Sequence, residues 1–95
     1  SELSAMREGK VVKVAGVKVI LHTPPTKSGQ RVIFLTLEDE EGLIDVTVFP
    51  SAQKLYASDI FEGDILLIEG YIQKHGSAVS LIANRASGLR KMTNY

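Results

Sequence analysis

Four consecutive carboxylates, Glu38-Asp39-Glu40-Glu41, are the densest cluster of ionisable groups in the chain and the first place to look for a metal. A calcium loop alternates its acids around a central glycine so that successive ligands converge. Consecutive acids in a turn do not, and these read as a solvated turn. The two histidines, His22 and His75, both fall near loops. They would supply two ligands to a zinc site that needs at least three. Cysteine is absent, which removes thiolate ligands and disulfides. The loop TPPTKSGQ, residues 23–30, lacks the glycine–lysine spacing that cradles a phosphate. No nucleophile motif is present. The expectation is a domain without catalytic residues, metal or cofactor: a binder, not an enzyme.

Chemistry of binding is easier to find. In RVIFLTLE, residues 31–38, Ile33, Leu35 and Leu37 alternate with Val32, Phe34, Thr36 and Glu38. The first set reads as the buried face of a strand, which leaves the large ring of Phe34 on the outer face. An outward ring on a sheet can serve as a platform for a nucleobase, worth about 1–3 kcal/mol per stacked base. In LIDVTVF, residues 43–49, Ile44, Val46 and Val48 point in, and Asp45, Thr47 and Phe49 point out. DEEG, residues 39–42, joins the two strands, with Gly42 free to take positive φ.

The flanking elements must hold that ring in place. KVVKVAGVKVILH, residues 10–22, is rich in Val and Ile and reads as a long strand. Val12 and Val14 alternate in one register, and Val17, Val19 and Leu21 in the other. The change falls around Gly16, where a β-bulge is expected. Lys18, Ile20 and His22 are then expected on the outer face beside Phe34. Pro50 ends the third strand. SAQKLYAS, residues 51–58, is expected to form a helix about two turns long, with Ser51 as N-cap and Ala52, Leu55 and Tyr56 on one face. After Gly63, DILLIEGYIQKH reads as a fourth strand, Gly76-Ser77 as a hairpin turn, and AVSLIANR, residues 78–85, as a fifth. Residues 86–95 show no clear period.

The order strand, strand, strand, short helix, strand, strand predicts an all-β fold. It is that of the five-stranded OB-fold, a Greek-key barrel with one short helix between strands 3 and 4. An SH3-like barrel explains the helix position less well. One domain over residues 1–95 is expected, with its core at about 10–86. The chain starts at Ser1 and not at methionine, so it reads as a domain excised from a longer protein.

VVKVAGVKV, a proline-containing loop, FLTLEDEEGLIDVTVFP and ILLIEGYIQKHGSAVSLIANR together resemble the OB domain of the bacterial DNA polymerase III alpha subunit family, error-prone relatives included. The resemblance covers residues 10–86 and rests on F-x-T-L-E-D-x-x-G followed by F-P. More loosely, the pattern is similar to the anticodon-binding OB domains of class II aminoacyl-tRNA synthetases, where a phenylalanine matching Phe34 stacks on a base. The resemblance implies binding of single-stranded nucleic acid, here template DNA in replication or translesion synthesis. It does not transfer catalysis, because the polymerase's catalytic acids have no counterpart here.

OB-folds bind along strands 2 and 3, between the loop joining strands 1 and 2 and the hairpin joining strands 4 and 5. The expected nucleic-acid-binding residues are therefore Phe34, Thr36 and Thr47 on the face, and Lys18 and His22 from strand 1. Lys27 and Arg31 come from one loop, and Lys74 and His75, with Ser77, from the hairpin. Charge is sorted along the chain: residues 9–37 hold five cations and no acid, residues 38–69 nine acids against Lys54. Sorted charge can produce a basic face on a neutral domain. Glu38 and Asp45 oppose it, so weak, salt-sensitive binding to single-stranded DNA is expected. Other domains or subunits of a polymerase are the further partners, and docking onto one of them, or reading an anticodon, is the alternative function. No apolar run approaches the roughly 20 residues of a membrane span. The expected location is the cytoplasm.

Overall fold

The computed structural model describes residues 2–89. Five strands close into one barrel in the order β1-β2-β3-β5-β4. They are β1 (Val11–His22), β2 (Ile33–Asp39), β3 (Gly42–Val48), β4 (Ile65–His75) and β5 (Ala78–Gly88). One helix, α1 (Pro50–Glu62), lies between β3 and β4, which is the OB-fold order. All neighbours are antiparallel except β3 and β5, which meet in parallel through Val46–Leu81 and Thr47–Ile82.

Alternation sets the core. Ile33, Leu35 and Leu37 of β2 and Ile44, Val46 and Val48 of β3 are all buried, as the period of two requires. Leu66, Ile68 and Ile72 of β4 and Leu81 of β5 fill the other wall. The barrel closes because β1 serves both walls. Residues Val11 to Val17 pair with β4, and Val17 to His22 with β2.

β1 departs from the expected register. The bulge lies between Lys18 and Ile20, not at Gly16. Gly16 is small for another reason: a Cβ there would stand 2.9 Å from the Glu38 carbonyl oxygen and 3.1 Å from Leu37 Cβ, where β2 crosses close. Val17 and Val19 are consequently exposed, and Leu21 alone of that set packs against the core.

The helix is also longer than expected, at 13 residues. Ser51 is not its cap. Phe49 holds the N-cap position without a side-chain bond, and Pro50 takes the first turn, where its missing N–H costs nothing. Leu55 is 77% exposed, and the buried anchor is Ile60, beyond the expected end of the helix at Ser58. Gln53 Nε2 donates to the Val48 and Arg31 carbonyls at 2.9 and 2.7 Å, tying the helix to β3 and to the loop before β2. β2 itself starts at Ile33, two residues late. β5 runs on to Gly88, so Ala86 belongs to the core and not to an irregular tail. Residues 90–95 of that tail lie outside the described residues. At the far end of the barrel, by the β2–β3 turn, a 3-10 turn over Glu2–Ala5 adds Leu3 to the core; nothing in the sequence pattern announced it.

Both hairpins are tight. Asp39 pairs with Gly42 around a two-residue loop, and Asp39 Oδ1 accepts from the Glu41 and Gly42 amides at 2.8 and 3.1 Å. Gly76, at φ 60°, is the first central residue of the β4–β5 turn, the arrangement of a II′ hairpin.

Gly70 marks the second bulge, where the β4–β5 register shifts. A Cβ there would lie 2.0 Å from the Ile82 carbonyl oxygen and 2.8 Å from its carbon, both backbone atoms. Gly70→Ala should therefore destabilise the fold by about 2–3 kcal/mol, the upper range for overpacking. Urea denaturation of this variant beside Ser77→Ala checks it; equal midpoints would contradict the close approach.

Candidate nucleic-acid interface

The register of the first three strands builds the site. Directly paired residues share a face of the sheet. Three rows result across β1, β2 and β3: His22–Phe34–Thr47, Ile20–Thr36–Asp45 and Val17–Glu38–Leu43. Rows two residues apart are separated by about 7 Å.

Phe34 keeps 37% of its surface exposed. Its ring stacks on that of His22, with centroids 5.4 Å apart and planes inclined by 25°. The outward ring thus has an aromatic neighbour supplied by β1, and the bulge is what brings it there. Past the platform, Thr36 Oγ1 donates to Asp45 Oδ1 at 3.2 Å. An open groove of about 400 Å³ runs over these residues, lined by His22, Phe34, Thr36, Asp45, Thr47 and Ser80.

Ser80 is a residue that sequence reasoning did not place there. It reaches the groove because β5 lies parallel to β3, with Leu81 opposite Val46. No local pattern signals a parallel pairing between strands so far apart in the chain.

Of the expected binding residues, Phe34, Thr36, Thr47 and His22 converge in the groove. Lys27 and Arg31 are exposed on the loop that leaves the platform at His22 and returns two residues before Phe34. Gly29, at φ 82°, turns this loop, and its amide donates to the Thr26 carbonyl at 3.1 Å. Thr26 Oγ1 bonds the Gln30 carbonyl. Lys74 and the exposed His75 sit on the β4–β5 hairpin, outside the groove lining, with Ser77 in its turn. The Lys74 amide lies 3.4 Å from Glu8 Oε2.

Lys18 does not join them. The bulge places it opposite the buried Leu37, on the inner side of β1, while Ile20 opposite Thr36 stays outside. Its ammonium donates to the Ile60 and Phe61 carbonyls at 2.9 and 2.8 Å. Those carbonyls belong to the last turn of α1, where backbone acceptors lack helical partners and a cation is favoured. Lys18 is a helix-terminus clamp. The sorted charge does not become a single basic face either. Lys13 lies on the opposite wall in a row with Glu69 and Arg85, and Arg85 Nε approaches Glu69 Oε1 at 3.9 Å.

Among the described residues no group of three or more His, Cys, Asp or Glu converges as a metal site would require. No helix among them is long and apolar enough to cross a membrane.

A closed five-stranded barrel with this groove defines an OB-fold binding domain, and the family described as the OB-fold nucleic acid binding domain matches residues 8–87. The chain belongs to that family. Its relatives include the error-prone DNA polymerase of Symbiobacterium thermophilum, 44% identical over 86 residues that make up 88% of this chain and 8% of the polymerase. The error-prone DNA polymerase of Bradyrhizobium diazoefficiens is 36% identical over 85 residues, 88% of this chain and 7% of that protein. The chain therefore spans less than a tenth of these relatives. Among solved structures, the second OB-fold domain of replication protein A from Methanococcus maripaludis superposes with a TM-score of 0.68 at 19% identity, covering 96% of this chain and 95% of that one. The mitochondrial single-stranded DNA-binding protein Rim1 of S. cerevisiae gives 0.63 at 12% identity, covering 88% and 98%. At such identities these two show the shared fold.

The clamp separates stability from binding at Lys18. Lys18→Met should lower stability by about 1 kcal/mol, the net worth of its partly exposed hydrogen bonds. Its affinity for an oligonucleotide should stay within about twofold of the parent, since it removes no contact to a phosphate. Thermal melts and fluorescence anisotropy on one preparation test both halves. A large affinity loss at unchanged stability would return Lys18 to the binding face.

Proposed function

We propose that this domain holds single-stranded DNA across the β1–β3 face, positioning the template strand for a polymerase of the DNA polymerase III alpha type in replication or translesion synthesis. The observation that carries this reading is the His22–Phe34 pair, an exposed two-ring platform in the groove of an OB barrel. The polymerase relatives and the fold shared with single-strand binders support it. Bases stack on the rings. Lys27 and Arg31 on one loop, and Lys74 and His75 on the hairpin, attract phosphates. The domain acts by positioning, with chemistry supplied elsewhere in the parent protein. A bacterial replication protein of this kind works in the cytoplasm.

Affinity is modest. Among the described residues two rings form the platform, and Glu38 and Asp45 share its face. Counterion release then makes the interaction steeply salt-dependent.

A second reading has its own observation. In the row Val17–Glu38–Leu43, both apolar residues are exposed beside the acidic β2–β3 turn, a surface ill suited to phosphate. That end of the face would dock another domain or subunit of the polymerase assembly, while the His22–Phe34 end holds the strand.

A proton–nitrogen NMR titration with a mixed-sequence DNA heptamer, at low and moderate salt, tests the proposal. Shifts should map to the first two rows and to both loops, and shrink as salt rises. Phe34→Ala should weaken binding about tenfold, in the lower part of the range for one stacked base. An RNA heptamer binding far more tightly than DNA would favour an anticodon-type reader. No shift at low salt would leave the docking surface as the function.

A further inference from the structure

Asp45 is the one acid among the residues lining the groove, and a carboxylate is a poor choice beside a polyanion unless the ligand has donors to meet it. It does not hang loose. Thr36 Oγ1 donates to Asp45 Oδ1 and fixes the plane of the carboxylate. Among the described residues Asp45 has no other partner, so Oδ2 and the second lone pair of Oδ1 remain open to the groove.

Phe34 and Asp45 are diagonal neighbours across β2 and β3, about 7–8 Å apart along the face. A base stacked on Phe34 spans that gap and brings its edge to the acid. We infer that Asp45, oriented by Thr36, reads the Watson–Crick edge of the base stacked on Phe34 and selects guanine. The inference rests on the single-strand reading above and adds base preference to it.

The selection follows from donor count. A carboxylate only accepts hydrogen bonds. Guanine offers two adjacent donors, N1–H and the N2 amino group, which match two carboxylate oxygens. Cytosine and adenine each offer one amino group beside a ring acceptor. Thymine offers a single N–H between two carbonyl oxygens, both of which the carboxylate repels. The same arrangement fixes the orientation of the strand: bases turn toward the sheet and phosphates toward Lys27 and Arg31, away from Asp45.

Fluorescence anisotropy with thymidine heptamers differing only in the central base tests this. The central base is guanine, cytosine, adenine, thymine or hypoxanthine, the last being guanine without its amino group. The 95-residue chain should bind the guanine heptamer about tenfold more tightly than the thymine one, within the range of a bidentate base contact. Hypoxanthine should lose most of that preference. Asp45→Asn should flatten the series and strengthen thymine, because it removes the charge and adds a donor for a thymine carbonyl. Thr36→Val should narrow the guanine preference about threefold by releasing the acid, a smaller effect than losing a hydrogen bond to a charged group outright. Equal affinity for all five heptamers, or a guanine preference that survives Asp45→Asn, overturns the assignment while leaving the single-strand function standing. Absence of binding to every heptamer overturns both.

Discussion

Closure of the barrel depends on one strand forming hydrogen bonds to two partners in succession. β1 pairs with β4 as far as Val17, where its allegiance passes to β2. Every strand is then paired on both sides over part of its length, so none is left as a free edge strand. The transfer needs a sharp local bend, and the bulge between Lys18 and Ile20 provides it. That one extra residue has three effects. It turns Lys18 inward to the carbonyls that end α1, it sends Ile20 outward, and it sets His22 opposite Phe34.

The helix and the platform are linked through the same region. Gln53, one turn into α1, holds the Arg31 carbonyl at the foot of the basic loop, while the far end of the helix is held by Lys18. Loops that carry binding residues work best on a rigid scaffold. Here both ends of α1 are bonded to the strands and loop that border the groove. Strand alternation between the buried Ile33 and Leu35 already holds Phe34 on the outer face, so the clamps act on the loop and helix beside it.

The face is chemically graded from one row to the next. Aromatic rings, then a hydroxyl bonded to an acid, then an apolar and acidic row follow each other along β2. A uniformly basic groove would bind any strand tightly and without discrimination. Mixing rings, acceptors and a few peripheral cations gives each row of the face its own chemistry in place of one uniform potential.

Local pattern determined much of this protein. Period-two alternation in residues 31–49 sufficed to bury Ile33, Leu35, Leu37, Ile44, Val46 and Val48 and to turn Phe34, Thr36, Asp45 and Thr47 outward, because side-chain direction in a strand is a local property. Turn chemistry at Gly42 and Gly76 was equally local. What the sequence could not decide was non-local. Gly16 looked like a bulge, yet its missing Cβ answers to β2 crossing at Glu38, a contact more than twenty residues away. Lys18 looked like a phosphate contact until the register put it beneath the helix end. Ser80 joined the groove only through the parallel meeting of β5 with β3. Helix length was set by Ile60 finding the core, not by the cap expected at Ser51. Sequence by itself determined which faces are apolar, because that follows from covalent geometry over a few residues. Tertiary structure alone decided which faces meet, because closure couples distant strands whose register depends on every bulge between them.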